Sequence, residues 1–314
     1  MPSSTSHQLN SPLEKPALEK PVLGIIGGSG LYDMAALKDV ETQLLQTPYG
    51  MPSDEIAVGS LHGIRVAFLP RHGKGHRLIP SEVPYRANVW ALKQLGVEFV
   101  LSVSAVGSMK EEIPPGDLVF VDQFIDRTVG RERTFFGEGM VGHISFADPV
   151  CETLRQIAMS AAKKTSVDAN QDDTFAVVDG GTYVCIEGPT FSTRAESNLF
   201  RSWGVDVIGM TNLPEARLVR EAGMSYATCA LSTDYDCWHE EEEDVSVEAV
   251  IEVLRKNVKH AQTMIENVAR SLAHDGPKVS PYSDVAKFAV MTARDNIPTM
   301  TRHKAQLLFG DVLG

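Results

Sequence analysis

From Val22 onward the chain repeats one pattern: an apolar run of four to seven residues, a short cluster of glycine, hydroxyl or charged side chains, then a longer amphipathic stretch. Apolar runs of that length suit strands buried on both faces, and their alternation with amphipathic stretches belongs to βαβ units around a mostly parallel sheet. The pattern predicts strands at Val22–Ile26, Ile64–Leu69, Val97–Val103, Leu118–Val121, Thr182–Ile186, Val205–Ile208 and Ser225–Leu231. It constrains the fold class to α/β: a central, mostly parallel or mixed twisted sheet flanked by helices.

Three helices are legible between and after these runs. Tyr85–Leu95 follows Pro84 and stops at Gly96, a glycine suited to a C-terminal cap. Thr193-Arg194-Ala195-Glu196 has capping-box spacing and opens a second. Val247, Val250, Ile251, Leu254, Val258, Ala261, Ile265, Val268 and Leu272 recur at three- and four-residue steps and predict a long helix from Ser246 to about Leu272. Residues 1–21, with the tandem Leu13-Glu14-Lys15-Pro16 and Leu18-Glu19-Lys20-Pro21, bury too little apolar surface to offset chain ordering and read as a flexible leader. The periodic unit spans 22–276, and 277–314 reads as a tail, partly helical near its end.

Charge narrows the partners. The 41 acidic residues outnumber the 29 basic ones for a net −12, the wrong sign for gripping nucleic acid or an anionic membrane through bulk electrostatics. An anion must therefore be bound at a local site. No apolar run approaches the roughly 18 residues of a membrane span, and the first nine residues lack the apolar segment of a secretory signal. Cys151, Cys185, Cys229 and Cys237 match no metal or haem spacing and read as free thiols of a cytoplasmic protein.

Ligands of open α/β sheets collect at the carboxyl ends of strands. Those ends here carry Gly27-Gly28-Ser29-Gly30, Arg71-His72-Gly73, Ser104-Ala105-Val106-Gly107, Gly209-Met210-Thr211 and Ser232-Thr233-Asp234-Tyr235-Asp236. The first loop lacks the third glycine of a dinucleotide fingerprint and the Lys-Ser/Thr of a Walker loop. What remains is a turn whose N–H groups and Ser29 hydroxyl can cradle a small oxyanion, or simply join strand to helix. The Arg71 guanidinium can grip phosphate with two parallel hydrogen bonds. His72 and His76 have the spacing of a helical zinc pair, but Gly73 and Gly75 argue against a helix there, so no metal site is expected. His239 and the acidic run 240–244 read as a solvated stretch before the long helix. Asp234 and Asp236 flank Tyr235, so an extended segment would turn both carboxylates to one side. Beside Tyr235 and Trp238, desolvation can raise a carboxyl's pKa and fit it to donate a proton; the bland alternative is a solvated loop end.

These strings occur in order with Gly107-Ser108, Pro115-Gly116-Asp117 and Glu187-Gly188-Pro189-Thr190-Phe191-Ser192-Thr193-Arg194-Ala195-Glu196. The ordered set resembles the trimeric purine nucleoside phosphorylase superfamily, and within it the branch that cleaves 5′-methylthioadenosine, over about Leu23 to Ala273. The resemblance implies a single-domain homotrimer without metal or cofactor, in which inorganic phosphate is co-substrate and the products are adenine and 5-methylthioribose 1-phosphate. It assigns phosphate to Ser29, Arg71, His72, Ser104, Ala105 and Thr211. It places Met210 on the ribose, Phe191 and Ser192 on the base, and Asp234 and Asp236 on adenine N7 and the 6-amino group. Val247, Val250 and Ile251 would line the methylthio pocket, with His143 arriving from a neighbouring subunit. Ser replaces the Thr of many relatives at 29 and 104, which keeps the hydroxyl. Chemically, the scheme asks an acid, Asp234, to protonate N7 while an anion attacks C1′. The rivals are a phosphorylase for 6-oxopurine nucleosides or methylthioinosine, a nucleosidase using water, and a silent nucleoside-binding scaffold.

Overall fold

The computed structural model describes residues 20–28, 30–31, 34–169, 173–239 and 247–313, the side chains of 247–250, 252 and 311 excepted. Leader residues 1–19, Ser29 and the run 240–246 lie outside the described residues. One eleven-stranded sheet contains β1 (Leu23–Gly27), β2 (Lys38–Gln43), β3 (Ile56–Leu61), β4 (Ile64–Pro70), β5 (Phe99–Ser108), β6 (Leu118–Phe120), β7 (Gln123–Arg127), β8 (Val177–Asp179), β9 (Thr182–Ile186), β10 (Val207–Gly209) and β11 (Ser225–Asp234). The helices are α1 (Tyr85–Leu95), α2 (Glu152–Asp168), α3 (Arg194–Ser202), α4 (Asn212–Glu221), α5 (Val247–His274) and α6 (Thr299–Leu313).

The sheet is mixed. Strands run β2-β3-β4-β1-β5-β10-β9-β7, while β11 also pairs with β5 and leads through β6 to β8. Its long central strand changes partners along its length. Phe99 to Ser102 of β5 pair in parallel with β1, whereas Gly107 and Ser108 pair antiparallel with β10. Between them, from Val103 to Val106, the edge facing β1 and β10 pairs with neither strand, while β11 continues along the other edge to Gly107. That opening is where the strand ends converge.

Period-two alternation sends successive side chains to opposite faces. Ile26 and Val100 join the core under α1, α4 and α6, and Ile25, Phe99 and Leu101 join the core under α2 and α5. A third cluster of Met109, Val184, Phe200, Val205, Ile208 and Trp238 seats α3. Gly96 ends α1 in the left-handed conformation, its N–H bonding to Leu92 and Lys93 carbonyls. The capping box at Thr193 and Glu196 is formed in both directions.

The pattern misses several elements. β2 is polar and exposed at the sheet edge, so nothing but pairing marks it. The stripe of α2 that packs on α5 is built largely from Ala158, Ala161 and Ala162, small residues with little contrast to a polar face. The segment after Gly276 is joined to the body: Ile297, Ala305, Leu308, Phe309 and Leu313 are buried in the same cluster as α1 and α4. Phe309 stacks on Phe136 with ring centroids 5.0 Å apart. Replacing Phe309 with Ala is expected to cost about 3–5 kcal/mol in a denaturant titration; a loss below about 1 kcal/mol would mean that α6 does not carry the core.

Candidate active site

The opening beside β5 is closed at its base by one side chain. Arg71 follows β4, its backbone N–H bonds to the Gly27 carbonyl at the end of β1, and its side chain is buried. Nε and Nη2 pair with Glu215 of α4 at 2.8 and 3.1 Å, Nη1 donates to Val103 O at 3.1 Å, and Nη2 also reaches Ser102 Oγ at 2.7 Å and Ile26 O at 3.3 Å. Tyr226 of β11 donates to the same Glu215 carboxylate at 3.0 Å. The sequence reading gave the two-pronged grip of Arg71 to phosphate. In the structure Glu215 takes it, because a guanidinium this deeply buried needs a counter-ion. Only one N–H, on Nη1, is left over from these bonds.

His72 also departs from a simple cation. Burial, with Arg71 adding to it, lowers its pKa to about 4, so the ring is neutral at pH 7. Its Nδ1 lies 2.9 Å from Leu78 O, which fixes the proton there and leaves Nε2 as an acceptor. His76 stacks on it at 4.3 Å with left-handed backbone, so the pair does not lie on a helix.

Ser104 Oγ donates to Asn212 Oδ1 at 3.1 Å, and the Thr211 N–H lies 3.5 Å from Tyr183 Oη. Asn212 Nδ2 is buried with no hydrogen-bond partner among the described residues. Val258 and Gln262 of α5 meet the glycine loop at Gly30. Thus Arg71, Ser104, Ala105 and Thr211 border one opening, and Ser29 lies outside the described residues.

The acidic pair sits where β11 ends. It is not on an extended strand as the spacing suggested: β11 bulges between Ser232 and Asp234, and Asp236 has φ +53°. The carboxylates converge through a turn, with Asp234 Oδ1 accepting the Asp236 N–H at 2.8 Å and Oδ2 lying 2.7 Å from the Thr233 hydroxyl. A Cβ on Gly107 would stand 2.9 Å from Asp234 Oδ1, so the glycine admits this approach. Burial, reinforced by Asp234, raises the Asp236 carboxyl to about 6, and its Oδ2 has no hydrogen-bond partner among the described residues. Asp236 is thus the buried carboxyl of the pair and Asp234 the half-buried one, a difference that the sequence, which offers both as the acid, does not show.

Ser192 is half-buried, its hydroxyl without a partner among the described residues, and Phe191 is half-exposed beside it. A Cβ on Gly188 would stand 2.5 Å from Met210 Sδ, which places Met210 over the 187–189 loop. Arg131, absent from the sequence reading, ties that loop down: it donates to Met210 O at 2.6 Å, Leu213 O at 2.7 Å and Glu187 O at 2.8 Å. Ile251 is exposed, and the side chains of Val247 and Val250 lie outside the description. His143 is not brought to this opening; it lines a separate cavity of about 240 Å³ with Phe136, Phe146, Arg217 and Glu221.

The profile of the Phosphorylase superfamily matches residues 22–270. The chain belongs to the phosphorylase superfamily. It is 52% identical over 290 residues to the S-methyl-5′-thioadenosine phosphorylase of Geobacter sulfurreducens, covering 92% of this chain and 98% of that one. The corresponding enzyme of Thermosynechococcus vestitus is 53% identical over 292 residues, 93% and 99% of the two chains. A crystal structure of methylthioadenosine phosphorylase from an antarctic soil metagenomic library superposes with TM-score 0.86 at 47% identity, covering 92% and 99%.

Within this superfamily member, Glu215, Arg131 and Asn212 are the residues around the opening that sequence reasoning missed. Their one signal is position, since Asn212 and Glu215 follow directly on the Gly209-Met210-Thr211 strand end. Replacing Glu215 with Ala leaves the Arg71 charge buried and is expected to cost about 3–5 kcal/mol of stability; a denaturant titration showing less than about 1 kcal/mol would mean water reaches Arg71. Glu221 supplies a pH test. Burial raises it to about 7, although it accepts bonds from Thr134 Oγ1 and the Phe135 N–H. A carboxyl that holds its proton more tightly when folded stabilises the fold at low pH and loses that contribution as pH rises through its folded pKa. Wild type should therefore lose more thermal stability between about pH 5 and 8 than Glu221→Gln; parallel losses would refute the assignment.

Proposed function

We propose that the chain cleaves 5′-methylthioadenosine with phosphate, giving adenine and 5-methylthioribose 1-phosphate. The observation that carries this reading is the opening beside β5: hydroxyl and N–H donors at the ends of β4, β5 and β10 on one side, and a carboxyl pair, with Asp236 buried, at the end of β11 on the other. The names of the relatives agree with it.

Phosphate lies among Ser29, the free Nη1 N–H of Arg71, His72, Ser104, Ala105 and Thr211. Because Glu215 offsets Arg71 and His72 is neutral, the anion is held by directed hydrogen bonds more than by net charge. His72 Nε2, an acceptor, suits the P–OH of hydrogenphosphate. A phosphate oxygen attacks C1′, the C1′–N9 bond breaks, and its electron pair passes to the purine. The acidic pair, carrying one proton, gives it to N7 and is reprotonated from solvent. Positioning makes the attack effectively unimolecular. These charges are met by the carboxyls and phosphate, so the scheme calls for no metal or cofactor.

The unprotonated carboxylate accepts from the 6-amino group of adenine, whereas a 6-oxo purine would set two acceptors face to face. Met210 packs on ribose, Phe191 and Ser192 on the base, and Val247, Val250 and Ile251 against the methylthio group. We place the reaction in the cytoplasm, where the three buried free thiols stay reduced. Among the described residues no helix is long and apolar enough to cross a membrane.

His143 points to a partner copy. Its backbone N–H bonds to Ala289 O beside Phe288, 91% exposed, and Met291, 69% exposed, with exposed Val141 adjoining. A homotrimer buries this apolar patch and delivers His143 to the neighbour's nucleoside site. Introducing Phe288→Glu with Met291→Glu should convert the trimer to monomer in light scattering and lower the rate; an unchanged mass would remove this face from the interface.

Adenine release from methylthioadenosine should depend on phosphate, with little release in its absence and little hypoxanthine from the 6-oxo analogue. Asp236→Asn should lower kcat/KM by about 10²–10⁴. Full release without phosphate would mark a nucleosidase, and full activity of the Asn variant would remove Asp236 from the chemistry.

A further inference from the structure

Ser104 and Asn212 meet at the edge of the opening, one from β5 and the other from the start of α4, directly after Thr211. Both are buried, Asn212 completely. The Ser104 hydroxyl donates to Asn212 Oδ1 at 3.1 Å, and this bond decides what the hydroxyl can offer an anion. A serine hydroxyl carries one proton, so while the amide holds it the oxygen shows an anion only lone pairs. Asn212 Nδ2, at the other corner of the amide, is closed off from solvent and has no hydrogen-bond partner among the described residues. An unpaired buried donor costs more than a hydrogen bond contributes, which points to a second state in which it is paired. The two ends of an asparagine amide have nearly the same shape. Turned end for end, Asn212 donates Nδ2–H to the Ser104 oxygen, which pairs the orphan donor and frees the hydroxyl proton.

We propose that Asn212 is a positioning residue for the anion site, its amide turning when phosphate arrives so that the Ser104 hydroxyl passes from Asn212 Oδ1 to a phosphate oxygen. This rests on the reading of Ser104 as a phosphate contact. Only hydrogen bonds are exchanged: the proton stays on Ser104 Oγ and changes its acceptor. The amide carbonyl gives up its bond, and the new bond to the anion offsets that loss. Both ends of the pair stand on fixed backbone. Ser104 is in register with Ala230 of β11, and Glu215, one turn along α4 from Asn212, is bonded to Arg71. The hydroxyl can therefore be redirected without moving either element. With the Arg71 guanidinium paired to Glu215, such directed donors carry much of what holds the anion.

Steady-state kinetics with phosphate and methylthioadenosine varied in turn test this in wild type, Asn212→Ala, Ser104→Ala and the double variant. Asn212→Ala should raise the phosphate KM by about 3- to 10-fold. Asn212→Asp, whose carboxylate keeps the hydroxyl proton to itself, should raise it by about 10-fold or more. Both factors should shrink when Ser104 is already Ala, that of Asn212→Ala to below about twofold, because the hydroxyl through which Asn212 acts is gone. The charge that Asn212→Asp brings does not act through Ser104, and the same background isolates it. A merely structural role would raise the KM of both substrates together and give one factor in both backgrounds. Equal factors overturn the proposal, as does a phosphate KM in Asn212→Ala less than about twofold above wild type. Asn212→Asp keeps the size of the side chain and carries the test if Asn212→Ala does not fold. Failure of the underlying reading would show separately, as a Ser104→Ala variant with the wild-type phosphate KM, and would overturn both.

Discussion

The buried ion pair between Arg71 and Glu215 is the contact on which the site depends. Two carbonyls, one hydroxyl and one carboxylate converge on a single guanidinium, and they come from the ends of β1 and β5 and from α4, with β11 joining through Tyr226. A charge so placed is tolerated only with all its partners, and removing one leaves the rest exposed to a desolvation penalty of several kcal/mol. The pair contributes geometry more than net stability. It ties together the strand ends whose hydroxyl and N–H groups we propose to hold phosphate.

That arrangement sharpens what an acidic chain can do with an anion. The site is almost neutral: the arginine is paired and the histidine has lost its proton. The proposed binding of phosphate would then depend on donors aimed from fixed backbone, as at helix N-termini and glycine nests. The acidic pair opposite is tuned in the contrary sense, with burial raising the affinity of the Asp236 carboxyl for a proton.

Much of this was legible in the sequence because strands buried on both faces leave long apolar runs, and the chemistry follows each run. The Tyr85–Leu95 helix matches residue for residue, and the Thr193 capping box forms as its spacing implied. What the sequence hid were relations between distant residues. Nothing near Arg71 announces Glu215, 144 positions later, and a guanidinium next to two glycines reads as a ligand until its counter-ion is seen. The acidic pair was misread in geometry because a bulge and a left-handed residue replace the extended strand that its spacing suggested. The segment after 276 was underread because its buried residues are interrupted by 3₁₀ turns and by a kink at Phe309, which break any helical period.

The loop bearing His143 leans on α4 at its ends, through Glu221 and Arg220, and on that later segment between them. Phe136 stacks on Phe309, Thr301 and Lys304 bond to Glu138, and the Val141 N–H reaches Thr292, 151 positions downstream. During synthesis the strands and Arg71 can assemble while this loop still lacks its supports. It takes shape only after residues 290–309 have left the ribosome. The face that bears His143 is thus among the last to form, and a chain cut short before residue 290 lacks its supports.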